Sequence, residues 1–193
     1  MSNISTRLLL VAAFVLTMLV AACSINVKKD KTGGQDKDVD IRTPLGGIHV
    51  SKGANADDVG VPVYPGAHLK QENSDGSDKS ANVNISGFGF GLRVVALEYE
   101  SNDSPEKVVS YYKDQLKKYG NVLVCHTTHF HVDAAKHGDD GSHELTCEGS
   151  NGNNIELKVG TKENQHIVAV EPQGSGSSFS LVYLRTHGKD ADI

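Results

Sequence analysis

The sequence predicts an α+β domain: one amphipathic helix packed on an antiparallel sheet of about five to six strands, preceded by a short N-terminal hairpin. Three observations predict it. One segment alone, Ser104 to Gly120, combines helical spacing of apolar residues with start and stop signals. The rest breaks into short runs rich in Val, Ile and Leu, separated by turn residues, as antiparallel strands require. The chain also holds 20 glycines and no tryptophan, a composition that suits a loop-rich β domain better than a helical bundle.

Taken in order, Val39, Ile41, Leu45, Ile48 and Val50 alternate around the turn Thr43-Pro44-Leu45-Gly46-Gly47. This is the hairpin, read as a preface to the domain, and with the loop SKGANADDVG it occupies residues 41–60. The α+β domain follows at 61–187. Tyr64-Pro65-Gly66 marks a turn, because proline presets φ and glycine accepts positive φ. After a polar loop at 70–80, strands are expected at Ala81 to Ile85 and Leu92 to Glu100. The intervening GFGFG, residues 87–91, reads first as a bulged or closely approached strand. The alternative exposes Phe88 and Phe90 to a ligand or a membrane.

In the helix, Ser104 is a good N-cap and Pro105 suits the first helical position. Val108, Tyr112, Leu116 and Tyr119 share one face, with Val109 beside it. Lys117 and Lys118 complement the C-terminal dipole, and Gly120 ends the helix. Five further strands are expected: Asn121 to His131, His143 to Glu148, Ile155 to Gly160, His166 to Glu171, and Ser178 to Arg185. Residues 188–193 read as a disordered tail.

The N-terminus carries an address. Arg7 precedes an uncharged apolar run, Leu8 to Val20, which is shorter than the roughly 20 residues a membrane span needs and fits the core of a signal peptide. The sequence Leu19-Val20-Ala21-Ala22-Cys23 resembles the lipobox of bacterial lipoproteins. That resemblance implies a signal peptide at 1–22, a diacylglyceryl thioether on Cys23, cleavage before it and acylation of the new amine. Ser24 stands where enteric lipoproteins retained at the inner membrane carry Asp, which implies the outer membrane, facing the periplasm. The lipid bilayer is then a partner through acylated Cys23. Residues 23–40, polar and charged after the cysteine, read as a flexible tether.

Composition bounds the partners. The chain has 19 Lys and Arg against 24 Asp and Glu, a net charge of -5, which argues against nucleic acid. With Cys23 lipidated, Cys125 and Cys147 remain as an even pair, and an oxidising compartment favours a disulfide between them. Two buried free thiols are the alternative.

The stretch CHTTHFHV, residues 125–132, asks whether a metal is bound. If Cys125 and Cys147 face each other across an antiparallel pair, His129 faces His143 and His131 shares their face. A Zn or Cu ion held by His129, His131 and His143 is then plausible. The bland reading is a polar strand that happens to be rich in imidazole, and none of the tighter metal motifs occurs. No cofactor is otherwise expected.

Two further stretches, VPVYPGA (Val61 to Ala67) and SNDSPEKVVSYYKDQLKKYG (Ser101 to Gly120), resemble a layout that recurs in uncharacterised exported bacterial proteins. The resemblance implies the fold and the envelope address, and carries no catalytic residue. No nucleophile elbow, P-loop or dinucleotide fingerprint is present. The expectation is a non-enzymatic envelope lipoprotein that binds or scaffolds an unknown envelope protein or ligand. A periplasmic metal-binding lipoprotein is the second reading, and a hydrolytic enzyme the third.

Overall fold

The computed structural model describes residues 24–29, 37–51, 53–71, 79–87, 89–130, 142–147 and 152–187. Ten strands make one antiparallel sheet: β1 Ser24–Lys29, β2 Lys37–Thr43, β3 Gly46–Ser51, β4 His68–Leu69, β5 Ser80–Gly87, β6 Phe90–Ser101, β7 Leu123–Thr127, β8 Asn154–Thr161, β9 Asn164–Gln173 and β10 Gly176–His187. They lie side by side as β1-β2-β3-β5-β6-β10-β9-β8-β7, with β4 paired to β6. Two short α-helices, α1 at Ala56–Val59 and α2 at Pro105–Leu116, and a 3-10 turn complete the described elements. Among the described residues no helix is long and apolar enough to cross a membrane.

The architecture is therefore mostly β, and this corrects the predicted α+β fold of five to six strands. Two causes are visible. The hairpin is no preface: β3 pairs with β5, setting Ile48 opposite Ile85 and Val50 opposite Val83, so the sheet runs on through it. Residues 24–29, read as tether, form β1 and pair along β2 with Ile25 opposite Ile41. The lysines and aspartates of residues 24–40 made the segment look unstructured by composition. The alternation S-I-N-V and D-V-D-I beneath that charge is a strand signal.

The helix is the one predicted. Ser104 takes an extended N-cap conformation and Pro105 opens the first turn, although the Ser104 side chain makes no capping hydrogen bond. Val108, Tyr112 and Leu116 are fully buried. A 3-10 turn, Lys117–Tyr119, tightens the end, and Gly120 leaves at φ 136°, where a side chain would be strained. This face of the sheet supplies Val95, Leu97 and Tyr99 of β6, Phe179 and Leu181 of β10, Val168 and Val170 of β9, and Leu157 and Val159 of β8. α1 is closed by a capping box between Asn55 and Asp58, which sets Val59 into the same core.

The sheet face away from α2 is buried too, but only over β7, β8, β9 and part of β10. Cys125, Glu156, Lys158, Ile167 and Ala169 lie there out of solvent. Residues 142–147 cross this face: the Lys158 ammonium donates to the Thr146 carbonyl at 3.4 Å, and the Lys162 N–H donates to the His143 carbonyl at 3.0 Å. These residues are not a strand, so the strand expected from His143 onward is corrected as well. β7 pairs instead with β8, which puts Cys125 opposite Glu156. Val124 packs on the helix side, partly buried, while Cys125 and Thr127 are buried on the other; His126, on the helix side, is exposed.

Candidate functional site

The histidine segment does not form the ladder on which the metal geometry depended. β7 ends at Thr127, and His129 lies beyond it, exposed. The register that would set His129 against His143 is replaced by pairing to β8. His143 turns to Glu163, with Nδ1 2.8 Å from Oε1. Burial works to raise the Glu163 pKa, but the hydrogen bonds from His143 and Thr161 outweigh it and hold the carboxyl below its usual range. His131 lies outside the described residues. Among the described residues no group of three or more His, Cys, Asp or Glu side chains is arranged to hold a metal ion.

Cys125 and Cys147 are joined as a disulfide, with Cα atoms 5.3 Å apart. Next to it on β8 lie Glu156 and Lys158, both fully buried, with Nζ 3.2 Å from Oε2. Sequence reasoning passed over this pair, because I-E-L-K alternates like a half-solvated strand. It is buried where residues 142–147 lie across it.

The two stretches that carried the family resemblance interlock. The Tyr64 hydroxyl donates to Asp103 Oδ2 at 2.9 Å, and the Tyr64 N–H donates to the Tyr112 hydroxyl at 3.0 Å. Tyr64 also meets Tyr111 edge-on, with ring centroids 5.2 Å apart. Lys107, 2.7 Å away, and then Tyr64 hold the Asp103 carboxyl below its usual pKa. Farther along the helix, Tyr119 stacks on His166 at 3.9 Å, and His166 leans on Tyr183. Burial, with the charge of Lys118 second, lowers the His166 pKa to about 4. These tyrosines, Asp103 and His166 splice loop, helix and sheet together.

A charged cleft of about 750 Å³ opens on the face away from α2, where β4 meets β6. Lys70 Nζ lies 2.7 Å from Glu98 and 3.7 Å from Glu100, and Lys79 lies 3.4 Å from Glu98. His68 stands 4.0 Å from Glu100, and Gln173 donates to Glu100 at 3.3 Å. Burial would raise the Glu98 pKa, but Lys70 and Lys79 overcome it and lower it. The signal for this site was present in A-L-E-Y-E: period two puts Glu98 and Glu100 on one face. The lysines come from a loop whose path the sequence does not reveal.

The same face is apolar at its other end. Ile25, Ile41, Ile48, Ile85 and Leu92 are successive cross-strand partners from β1 to β6. Ile41, Ile48 and Ile85, with Leu45 and Phe90, line a shallow groove of about 360 Å³. Phe90 begins β6 and is 47% exposed, as the alternative reading of GFGFG expects of that residue, while Gly87 is closely approached by the Leu45 carbonyl; Phe88 lies outside the described residues.

A scan against protein-family models, a search of curated proteins and a search of solved structures give no match.

Proposed function

We propose that this chain is a bacterial envelope lipoprotein, held by an acylated Cys23 in the outer membrane facing the periplasm. Its domain serves as a non-enzymatic module that binds or scaffolds an envelope protein or ligand. The observation that carries the reading is the sequence Leu19-Val20-Ala21-Ala22-Cys23, and Ser24, the residue after that cysteine, already lies in β1. The disulfide between Cys125 and Cys147 supports an oxidising compartment.

The charged cleft is the surface assigned to the partner. It lies at the end of the sheet opposite Ser24, where β4 pairs with β6 at Glu100, and it offers both signs of charge. A peptide or another zwitterionic surface suits such a site better than a single anion. The anchor is tested by metabolic labelling with a fatty acid. Wild type is expected to incorporate the label and to fractionate with membranes, and Cys23→Ser to lose both. Label retained in Cys23→Ser, or wild type found soluble and unlabelled, refutes the reading.

A further inference from the structure

The uncovered half of the sheet has a polarity that runs along its strands. On the face away from α2, the Glu98 and Glu100 end is charged. At the other end lie the turn between β2 and β3 and the turn between β5 and β6, since Gly46 pairs with Gly87. β1 starts at that end too, with Ser24 opposite Arg42. Four of the five exposed large hydrophobic residues among the described residues gather there: Ile25 at 71%, Leu45 at 58%, Phe90 at 47% and Ile48 at 38%. Solvent-exposed apolar side chains are ordinary when scattered, and informative when contiguous. The reverse face of the same strands carries Asp40, Arg42, His49, Asn82 and Asn84, so the strands are amphipathic across their thickness as well.

We propose that this apolar end, Ile25, Ile41, Leu45, Ile48, Ile85 and Phe90, docks on the lipid surface that holds the chain at Cys23. The proposal rests on the lipoprotein reading for its orientation. The chain enters this end of the sheet from Cys23 and from the apolar run Leu8 to Val20, so Ile25 follows the lipidated cysteine by two residues and the apolar run by five, and whichever of these is in the bilayer delivers Ile25 close to it. A second copy of the chain fits less well. Five strands spaced about 4.8 Å apart give a patch roughly 20 Å by 14 Å, or about 300 Å², against about 800 Å² per partner in a standard interface. The net charge of -5 selects a zwitterionic surface over an anionic one.

The test uses the absence of tryptophan from the chain. Leu45→Trp and Phe90→Trp place single reporters in the patch, and Asn102→Trp places one at the opposite end. The full chain, purified from membranes, is reconstituted into phosphatidylcholine vesicles with and without brominated acyl chains. The expected result is a blue shift and loss of most of the fluorescence at 45 and 90, with none at 102. Unquenched reporters at 45 and 90 on a chain whose Cys23 is shown by mass spectrometry to be acylated overturn the docking and leave the lipoprotein reading standing. If Cys23 is unmodified, the same chain is mixed with the vesicles directly. Quenching at 45 and 90 then supports docking although the lipoprotein reading falls, and its absence overturns both. Reporters that shift blue without quenching, in a chain of doubled mass, overturn the proposal in favour of a second copy.

Discussion

Glu156 and Lys158 offer the sharpest test of the covered half of the sheet. Both side chains are fully buried and their charged atoms are 3.2 Å apart. Replacing Lys158 with Met keeps the length of the stem but takes the ammonium at 3.2 Å away from the buried Glu156 carboxylate. Removing one partner of a buried pair costs about 3–5 kcal/mol. Glu156→Gln removes the carboxylate beside the buried Lys158 ammonium and is expected to cost a similar amount. The double variant Glu156→Leu/Lys158→Met removes both charges together with both desolvation penalties. Such replacements are often neutral or stabilising by about 1–4 kcal/mol. Here the hydrogen bond from Lys158 to the Thr146 carbonyl is also lost, at about 1 kcal/mol. The double variant is therefore expected within about 2 kcal/mol of wild type, with both singles well below it. Urea unfolding at constant slope reads all four corners of the cycle. Singles that cost less than about 1 kcal/mol, or a double that costs their sum, refute the burial and the coupling.

Three other outcomes follow from the same geometry. Cys147→Ser removes a bridge between residues 22 apart and is expected to cost about 3 kcal/mol by the chain-entropy argument, read as the same fall in stability that reductant produces in wild type. Tyr112→Phe leaves the Tyr64 N–H without its 3.0 Å acceptor and is expected to cost about 1–3 kcal/mol in urea unfolding. His166 has a folded pKa of about 4 against 6.5 when free, so between those values the unfolded chain binds more protons and stability rises with pH. Its contribution is complete above pH 6.5 and is lost as pH falls toward 4, at no more than about 1.4 kcal/mol per pH unit. His166→Phe keeps the stacking on Tyr119 and is expected to flatten that limb of the stability profile.

The helix and most strand positions were legible because one residue type dominates each signal. Ser104, Pro105 and Gly120 bracket α2, and Val108, Tyr112 and Leu116 keep helical spacing inside it. The extent of the sheet was not legible. β1 and β2 carry Ile and Val at alternate positions, but their other positions are charged, and averaged polarity concealed the alternation. Pairing between β3 and β5 spans a long stretch of chain, and nothing local announces it. The disulfide was read from cysteine arithmetic alone, without any geometry. The strand register built on that disulfide then failed, because a bridge constrains two residues while a ladder is chosen by all of its rungs. Ile155, Leu157 and Val159 gave β8 a stronger claim on β7 than His143, Leu145 and Cys147 had.

The sheet is continuous, yet its two halves meet different surroundings. Around β8 and β9 both faces are covered, by α2 on one side and by residues 142–147 on the other, so even Glu156 and Lys158 are interior. From β1 to β3 the strands make no substantial contact with α2 among the described residues, and their apolar face is left as the groove at Ile41, Ile48 and Ile85. A sheet with one apolar face stabilises its strands only when that face is removed from water. β1 is an edge strand at the limit of this half, and an edge presents backbone groups as well as side chains. In the proposed arrangement the anchor and the strand serve the same end. A lipid on Cys23 raises the local concentration of bilayer at Ile25, and contact with the bilayer dehydrates the apolar rung that holds β1 to β2. The charged cleft at the other end of the strands is then turned toward the periplasm, at a height above the bilayer set by strand length rather than by a tether.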